Sequence, residues 1–277
     1  MSIPIEVQSW LSVVEPSATR AVTTESISFA CTECAGGIRK ATVSFVDKAG
    51  VVVSTLSFIQ QGSAVEVTLT EAGTLLEAMG QDVYKEIKGL IIHGPINGTD
   101  IVAIRRMKNL TYLNMENAQI VEGGEAYYND GYTKFFTEND KIGDYMFFQP
   151  SCFQEEDCEV ILPKDVTSIG DKAFESCSTL TAITIPEGVT SIGERAFYGC
   201  ISLTSITIPE GVTSIGSVAF EDCYSLKSIK VLSTTPPSAG NNTFRGVTGA
   251  TLYVPKEAVN IYQNTEPWCN FETIIGL

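Results

Sequence analysis

Positive charge is scarce in this sequence of 277 residues: 18 Lys and Arg stand against 33 Asp and Glu, a net charge of −15. That balance excludes a nucleic-acid ligand, which selects Lys/Arg clusters to displace counterions, and equally an anionic membrane surface. Histidine occurs once, at His93. No Ser or Asp partner for it is assignable, so Ser-His-Asp and Cys-His catalysis is not expected, and the chain is read as a non-enzyme without a cofactor. No uninterrupted apolar run approaches the ~18 residues of a membrane-spanning helix. The start, Met1-Ser2-Ile3-Pro4-Ile5-Glu6, lacks the basic and apolar stretches of a secretory signal, which leaves either a cytosolic chain or one from which a signal has been removed. Calcium loops of the EF-hand or RTX pattern are also missing.

Eight cysteines in a chain of this size do not make a disulfide scaffold. Cys31-Thr32-Glu33-Cys34 has CxxC spacing but no second ligand pair at zinc-finger distance, so a local disulfide or two free thiols fits better than a metal site. Cys152 and Cys158 are placed to pair across a loop or to stay free. Cys177, Cys200 and Cys223 fall 23 residues apart and mark what the sequence has in abundance. Near-copies of one segment begin at Leu162, Ile185 and Ile208, with Ile169, Ile192, Ile215 and Phe174, Phe197, Phe220 in register. A fixed period of this length signals a solenoid, whose coils bury their apolar faces only by stacking. The cysteines are expected inside it, reduced and packed as small hydrophobes.

Along the chain the texture changes twice. Residues 1–62 alternate apolar and polar side chains over short runs (Ser26 to Ala30, Ala41 to Phe45, Ser54 to Ile59) with a turn at Lys48-Ala49-Gly50, which predicts a small all-β sandwich. Residues 63–86 read as a connector or N-terminal cap, with one helix from about Val65 to Gln81. Residues 87–277 read as the repeat domain. Strands are expected at Ile87 to Ile92, Leu110 to Met115, Val160 to Leu162, Ile183 to Ile185, Ile206 to Ile208, Ile229 to Val231 and Leu252 to Val254, about seven coils of one parallel sheet. Pro163, Pro186, Pro209 and Pro255 turn the chain out of that sheet. Val-Thr-Ser-Ile-Gly then forms a second short strand, and Asp-Lys-Ala-Phe or Glu-Arg-Ala-Phe a brief helical turn. Asn97 to Asp100 is turn chemistry before a helical run Ile101 to Met107, with Asp100 as N-cap.

Two resemblances follow from these residues. Ser9-Trp10-Leu11-Ser12-Val13, Gly37 to Val43 and Phe58-Ile59-Gln60-Gln61-Gly62 resemble the BACON domain, an immunoglobulin-like module. That likeness implies a sugar-binding module or a spacer. The run from Ile185 to Ile206 is similar to the BspA-like leucine-rich repeats of bacterial surface proteins, and with the degenerate coils the likeness covers about 190 residues. The expected architecture is an α/β leucine-rich-repeat solenoid preceded by a small immunoglobulin-like sandwich. Export, surface display and binding of a host or environmental protein or glycan are implied by this likeness, with a monomer expected and a lipid anchor on a longer precursor left open. A structural spacer of the cell envelope is the alternative.

Candidate contact residues come from two places. The outward column of the strands is Ile91, Asn114, Ile161, Thr184, Thr207, Lys230 and Tyr253, of which Asn114, Thr184, Thr207, Lys230 and Tyr253 are the candidates. An aromatic-dense insertion, Gly123 to Phe153, interrupts the period and carries Tyr127, Tyr128 and Tyr132. Phe147-Phe148, after Ile142-Gly143-Asp144, are expected to replace the Ala-Phe pair of the repeat.

Overall fold

The computed structural model describes residues 11–14, 28–31, 38–46, 52–61, 64–79, 87–149, 153 and 157–277. The chain divides into two compact units, Met1–Ser63 and Ala64–Leu277. In the first, β1 (Leu11–Val14) pairs antiparallel with β2 (Ser28–Cys31), and β3 (Ile38–Val46) with β4 (Val52–Gln61). The Lys48-Ala49-Gly50 tip, Cys34 and the segments that would close a sandwich lie outside the described residues.

The second unit opens with three parallel strands, β5 (Ala64–Thr68), β6 (Gly89–Ile96) and β7 (Tyr112–Ile120). An antiparallel hairpin follows, β8 (Gly123–Asn129) and β9 (Lys134–Thr137). From β10 (Lys141–Ile142) onward, short strands alternate with longer ones: β11 (Cys158–Ile161), β12 (Ser168–Ile169), β13 (Leu180–Thr184), β14 (Ser191–Ile192) and β15 (Ser205–Ile208). The series ends with β16 (Ser214–Ile215), β17 (Ser228–Val231), β18 (Ser238–Ala239), β19 (Thr251–Val254) and β20 (Thr273–Gly276). The longer strands form two parallel sheets, ordered β13-β11-β7-β6-β5 and β15-β17-β19-β20, and the short ones a third, β10-β12-β14-β16-β18. Strand levels are thus added at both ends of the seven read from the sequence, β5 before them and β20 after.

The helix expected over residues 65–81 shrinks to α1 (Leu75–Met79). Before it, Val67 and Leu69 are buried while Glu66 and Thr68 are exposed. This period-two pattern belongs to a strand, and pairing with β6 settles it. The next crossover carries α2 (Gly98–Arg105), capped by Asn97 instead of Asp100. Asp100 is the third helical residue and closes a capping box onto the Asn97 amide, while its carboxylate, 1% exposed, also accepts from Gly73 and Leu75. One buried charge thereby ties two crossovers together through three backbone donors. Gly124, at φ +75°, packs where a Cβ would sit 2.4 Å from the Asn97 side chain, so only glycine lets the hairpin approach this cap.

Inside the coils the columns align as the period requires. Leu90, Leu113, Val160 and Ile183 are in register and buried, as are Ile206, Ile229 and Leu252. Phe147, Phe174, Phe197, Phe220 and Phe244 stack at centroid spacings of 5.3, 5.3, 5.2 and 5.6 Å. Each fully buried ring is worth about 1.5–3 kcal/mol in burial. Phe147 bonds through its amide to Ala173, so the pair matching Ala173-Phe174 is Met146-Phe147, one residue earlier than expected. The count from the strand agrees, since Phe147 follows Ile142 by five residues as Phe174 follows Ile169, although β10 and β12 lie 27 residues apart where β12 and β14 keep the 23-residue period.

Polar groups obey the same register. Cys177, Cys200 and Cys223 are buried thiols, each donating at 3.2 Å to the carbonyl of Phe147, Phe174 or Phe197 in the preceding coil. Burial pushes the Cys223 thiol up to about 12 and Cys200 well above its ordinary value. Cys158 is also buried and donates to the Leu110 carbonyl, while Cys152, its possible partner by sequence, lies outside the described residues. Thr167, Thr190, Thr213 and Ser238 donate their hydroxyls to the backbone one coil earlier.

The segments read as brief helical turns are successive turns with left-handed residues at fixed places. Tyr145, Lys172, Arg195, Val218 and Asn242 have φ of 58°, 55°, 54°, 54° and 56°. Alternate amides then point along the stack, and Lys172, Phe174 and Ser176 donate to Glu194, Ala196 and Tyr198. The C-terminal end closes on α3 (Val259–Tyr262), with the Tyr262 hydroxyl on Ser233 O and the Trp268 indole on Pro237 O.

Candidate partner-binding surface

The outward column of the strand face is in register where pairing is defined: Glu66, Ile91, Asn114, Ile161 and Thr184 in the first sheet, Thr207, Lys230, Tyr253 and Ile275 in the second. Its members differ in availability. Ile91 is buried, at 6% exposure, and offers no contact. Asn114 is occupied, donating to the Tyr112 hydroxyl at 3.2 Å and accepting from the Glu116 amide at 2.9 Å. Thr184 and Thr207 are exposed, and Lys230 and Tyr253 half-exposed. None of these four side chains carries a hydrogen bond or ion pair among the described residues. The neighbouring outward column, Ser205, Ser228, Thr251 and Thr273, is small and hydroxylated, so Lys230 and Tyr253 stand as paired neighbours above a flat floor.

The hairpin separates its three tyrosines. Tyr127 is 5% exposed and donates its hydroxyl to the Asp144 carbonyl, and burial pushes its phenol up. Tyr128 stacks on Tyr145 at 4.8 Å and meets Phe148 edge-on at 5.3 Å, while Phe135 leans on the same group. Tyr132, at the tip, is 98% exposed. The tip is built by Asp130, whose carboxylate accepts from the Tyr132 and Thr133 amides and is held below the usual range by those bonds. Phe136 is 48% exposed beside a cleft of about 390 Å³ that also includes Lys134, Glu138 and Lys141.

Arg105 was not legible as functional. From the end of α2 its guanidinium donates to Met146 O at 2.7 Å, Phe148 O at 3.1 Å and Tyr145 O at 3.3 Å, and it lies over the Tyr128 ring. With Tyr127 it caps the carbonyls of Asp144, Met146 and Phe148. These are the acceptors that Asp171, Ala173 and Glu175 offer to a preceding coil. The partners lie about 40 residues away in sequence, and no local pattern announces them.

His93 bonds Glu66 at 2.8 Å on the N-terminal strands. Among the described residues no group of three or more His, Cys, Asp and Glu could hold a metal ion, and no helix is long and apolar enough to cross a membrane.

Comparison with known proteins places this geometry. No curated protein matches the chain significantly. Solved structures similar to it include a leucine-rich repeat protein of T. pallidum (27% identity, covering 54% of this chain and 66% of that one, TM-score 0.40). A leucine-rich cell surface protein of Faecalibacterium prausnitzii is 26% identical over 46% of this chain and 45% of that one, with a TM-score of 0.27. The pneumococcal vaccine antigen PcpA is 18% identical over 76% and 56%, with a TM-score of 0.31. The chain thus spans less than two thirds of the length of the first two. Residues 140–272 match the family described as BspA type Leucine rich repeat region, in six copies. The stacked coils of this stretch are BspA-type leucine-rich repeats, and β5, β6 and β7 extend their parallel sheet beyond the matched residues.

Proposed function

We propose that this chain is a recognition module of the bacterial surface, binding a protein or glycan partner through the outward strand face. The observation that carries this reading is the free row Thr184, Thr207, Lys230 and Tyr253, aligned over successive coils with no intramolecular use for its polar atoms. A cation beside an aromatic on a flat hydroxylated floor offers a directional anchor within a broad contact surface. The BspA-type repeats support surface display. In this reading residues 1–62 are a BACON-like spacer, residues 63–86 the cap, and residues 87–277 the binding domain. The chain is a monomer without catalytic activity.

The test is a solid-phase screen of the intact chain against extracellular-matrix proteins and glycans, repeated with Lys230→Thr/Tyr253→Thr. Binding should fall about tenfold or more. Stability should change by no more than about 0.5 kcal/mol. Unchanged binding, with loss on Tyr132→Ala, would move the site to the hairpin. A chain that binds nothing in either form would favour the envelope-spacer reading.

A further inference from the structure

The two ends of the turn ladder are treated differently. In every coil three alternate amides donate to the next coil: Arg195, Phe197 and Gly199 to Ser217, Ala219 and Glu221, then Val218, Phe220 and Asp222 to Asn241, Thr243 and Arg245, at 2.8–3.0 Å. At the first coil the acceptors facing backward are capped by Tyr127 and Arg105. At the last coil the donors facing forward are the amides of Asn242, Phe244 and Gly246, and they bond no acceptor among the described residues. The Ala239 carbonyl, successor to Ile215 O in accepting from a following glycine, is equally unused.

Ala239, Asn242 and Phe244 line a cleft of about 500 Å³, with Gly246 between two further lining residues, Arg245 and Val247, and with Glu266, Pro267, Asn270 and Phe271 also in the lining. That volume lies within the range of ordinary ligand sites. The apolar column beneath is already closed, because Phe244 meets Trp268 at 5.2 Å and Phe271 edge-on at 5.1 Å. What is missing is therefore backbone, not hydrophobic cover: three donors and one acceptor in the arrangement that a further coil would satisfy.

We infer that this cleft binds a short peptide segment of a partner protein, which adds itself to the ladder as one more coil. Its carbonyls at alternate positions accept from Asn242, Phe244 and Gly246, as strand addition works at a sheet edge. The central position is small in the four coils nearest the cleft, where Ala173, Ala196, Ala219 and Thr243 fill it at 0% exposure, Met146 holding it only in the first. Glycine suits the residue after it, since Trp268 and Phe271 occupy the place of the next phenylalanine ring. A second copy of this chain cannot serve through its own first coil, whose matching carbonyls are held by Arg105 and Tyr127.

The experiment pans a random-peptide phage library against the intact chain and follows amide exchange with the enriched peptides. Enriched sequences should share a small residue followed by glycine, and their binding should slow exchange of the Asn242, Phe244 and Gly246 amides at least about tenfold. Asn270→Trp, an exposed substitution that fills the cleft, should weaken them about tenfold or more, whereas Lys230→Thr/Tyr253→Thr should leave them unaffected. A library that yields no such peptide overturns the proposal. So do peptides that leave the three amides unprotected, or a glycan array ligand that protects them in place of a peptide.

Discussion

Replacing Arg105 with methionine tests how the repeats are joined to the helix that precedes them. Methionine keeps much of the aliphatic stem and its packing while removing every donor. The Met146 and Phe148 carbonyls then lose bonds of 2.7 and 3.1 Å to a charged group, and the longer contact to Tyr145 O goes with them. Hydrogen bonds to charged groups contribute about 1.5–3 kcal/mol each, and these are only part-buried, so water recovers some of the loss. A net destabilisation of about 2–4 kcal/mol follows. With a urea dependence of about 2–3 kcal/mol per molar, the midpoint should fall by about 1 M. Lysine in the same place reaches one carbonyl and should restore less than half. Coils contact only their neighbours, so the damage should be local. Amide exchange should accelerate over residues 143–149 and stay unchanged over residues 193–199. Methionine matching the parent within about 0.5 kcal/mol, or uniform acceleration across all coils, would refute the capping argument.

Three further outcomes are expected. Val218→Asn should stabilise the fold by about 1 kcal/mol and raise Tm by about 2–4 °C in calorimetry, because a β-branched residue sits at φ +54° where asparagine is at ease. Cys177, Cys200 and Cys223 should resist a bulky thiol reagent in the native state and react on unfolding, as read by peptide mapping. Rapid native labelling of all three would contradict their burial. Glu175→Gln should stabilise the protein at neutral pH, since burial holds this carboxyl above its ordinary value despite Arg195 at 3.5 Å and leaves its Oε2 without a hydrogen bond. A raised carboxyl favours the fold when protonated, so its contribution is present at low pH and is lost as pH rises through the folded value. The advantage of glutamine should therefore shrink as melts are repeated at pH values falling towards about 4.3, the ordinary glutamate value, and level off below it.

Much of the solenoid was legible because its columns are written in near-identical copies. Ile192, Phe197 and Cys200 could be placed inside from spacing alone, and the outward register of Thr184, Lys230 and Tyr253 followed from the strand period. Legibility failed where the copies diverge. Met146 stands where the repeat has alanine, so the doubled Phe147-Phe148 drew the Ala-Phe assignment one residue too far, while Phe148 joins the hairpin's aromatic group. At Val65 to Leu69, apolar residues compatible with a helix hid a period of two that only the pairing with β6 reveals. Hydroxyls such as Thr190, in the segment read as a second short strand, spend their donors on the neighbouring coil. The surface was least legible of all. Tyr127 and Tyr132 differ by five positions in sequence, yet one is sealed against Asp144 and the other stands in water.

The 23-residue step also quantises distance. Excising residues 185–207 would join Thr184 to Ile208 without disturbing any column, because each residue removed has its counterpart one level along. The hairpin and the C-terminal cleft would keep their chemistry and draw closer by one strand spacing, about 4.8 Å. Gain or loss of whole coils is then a gear by which reach can be reset between two contact points, with neither needing to be rebuilt.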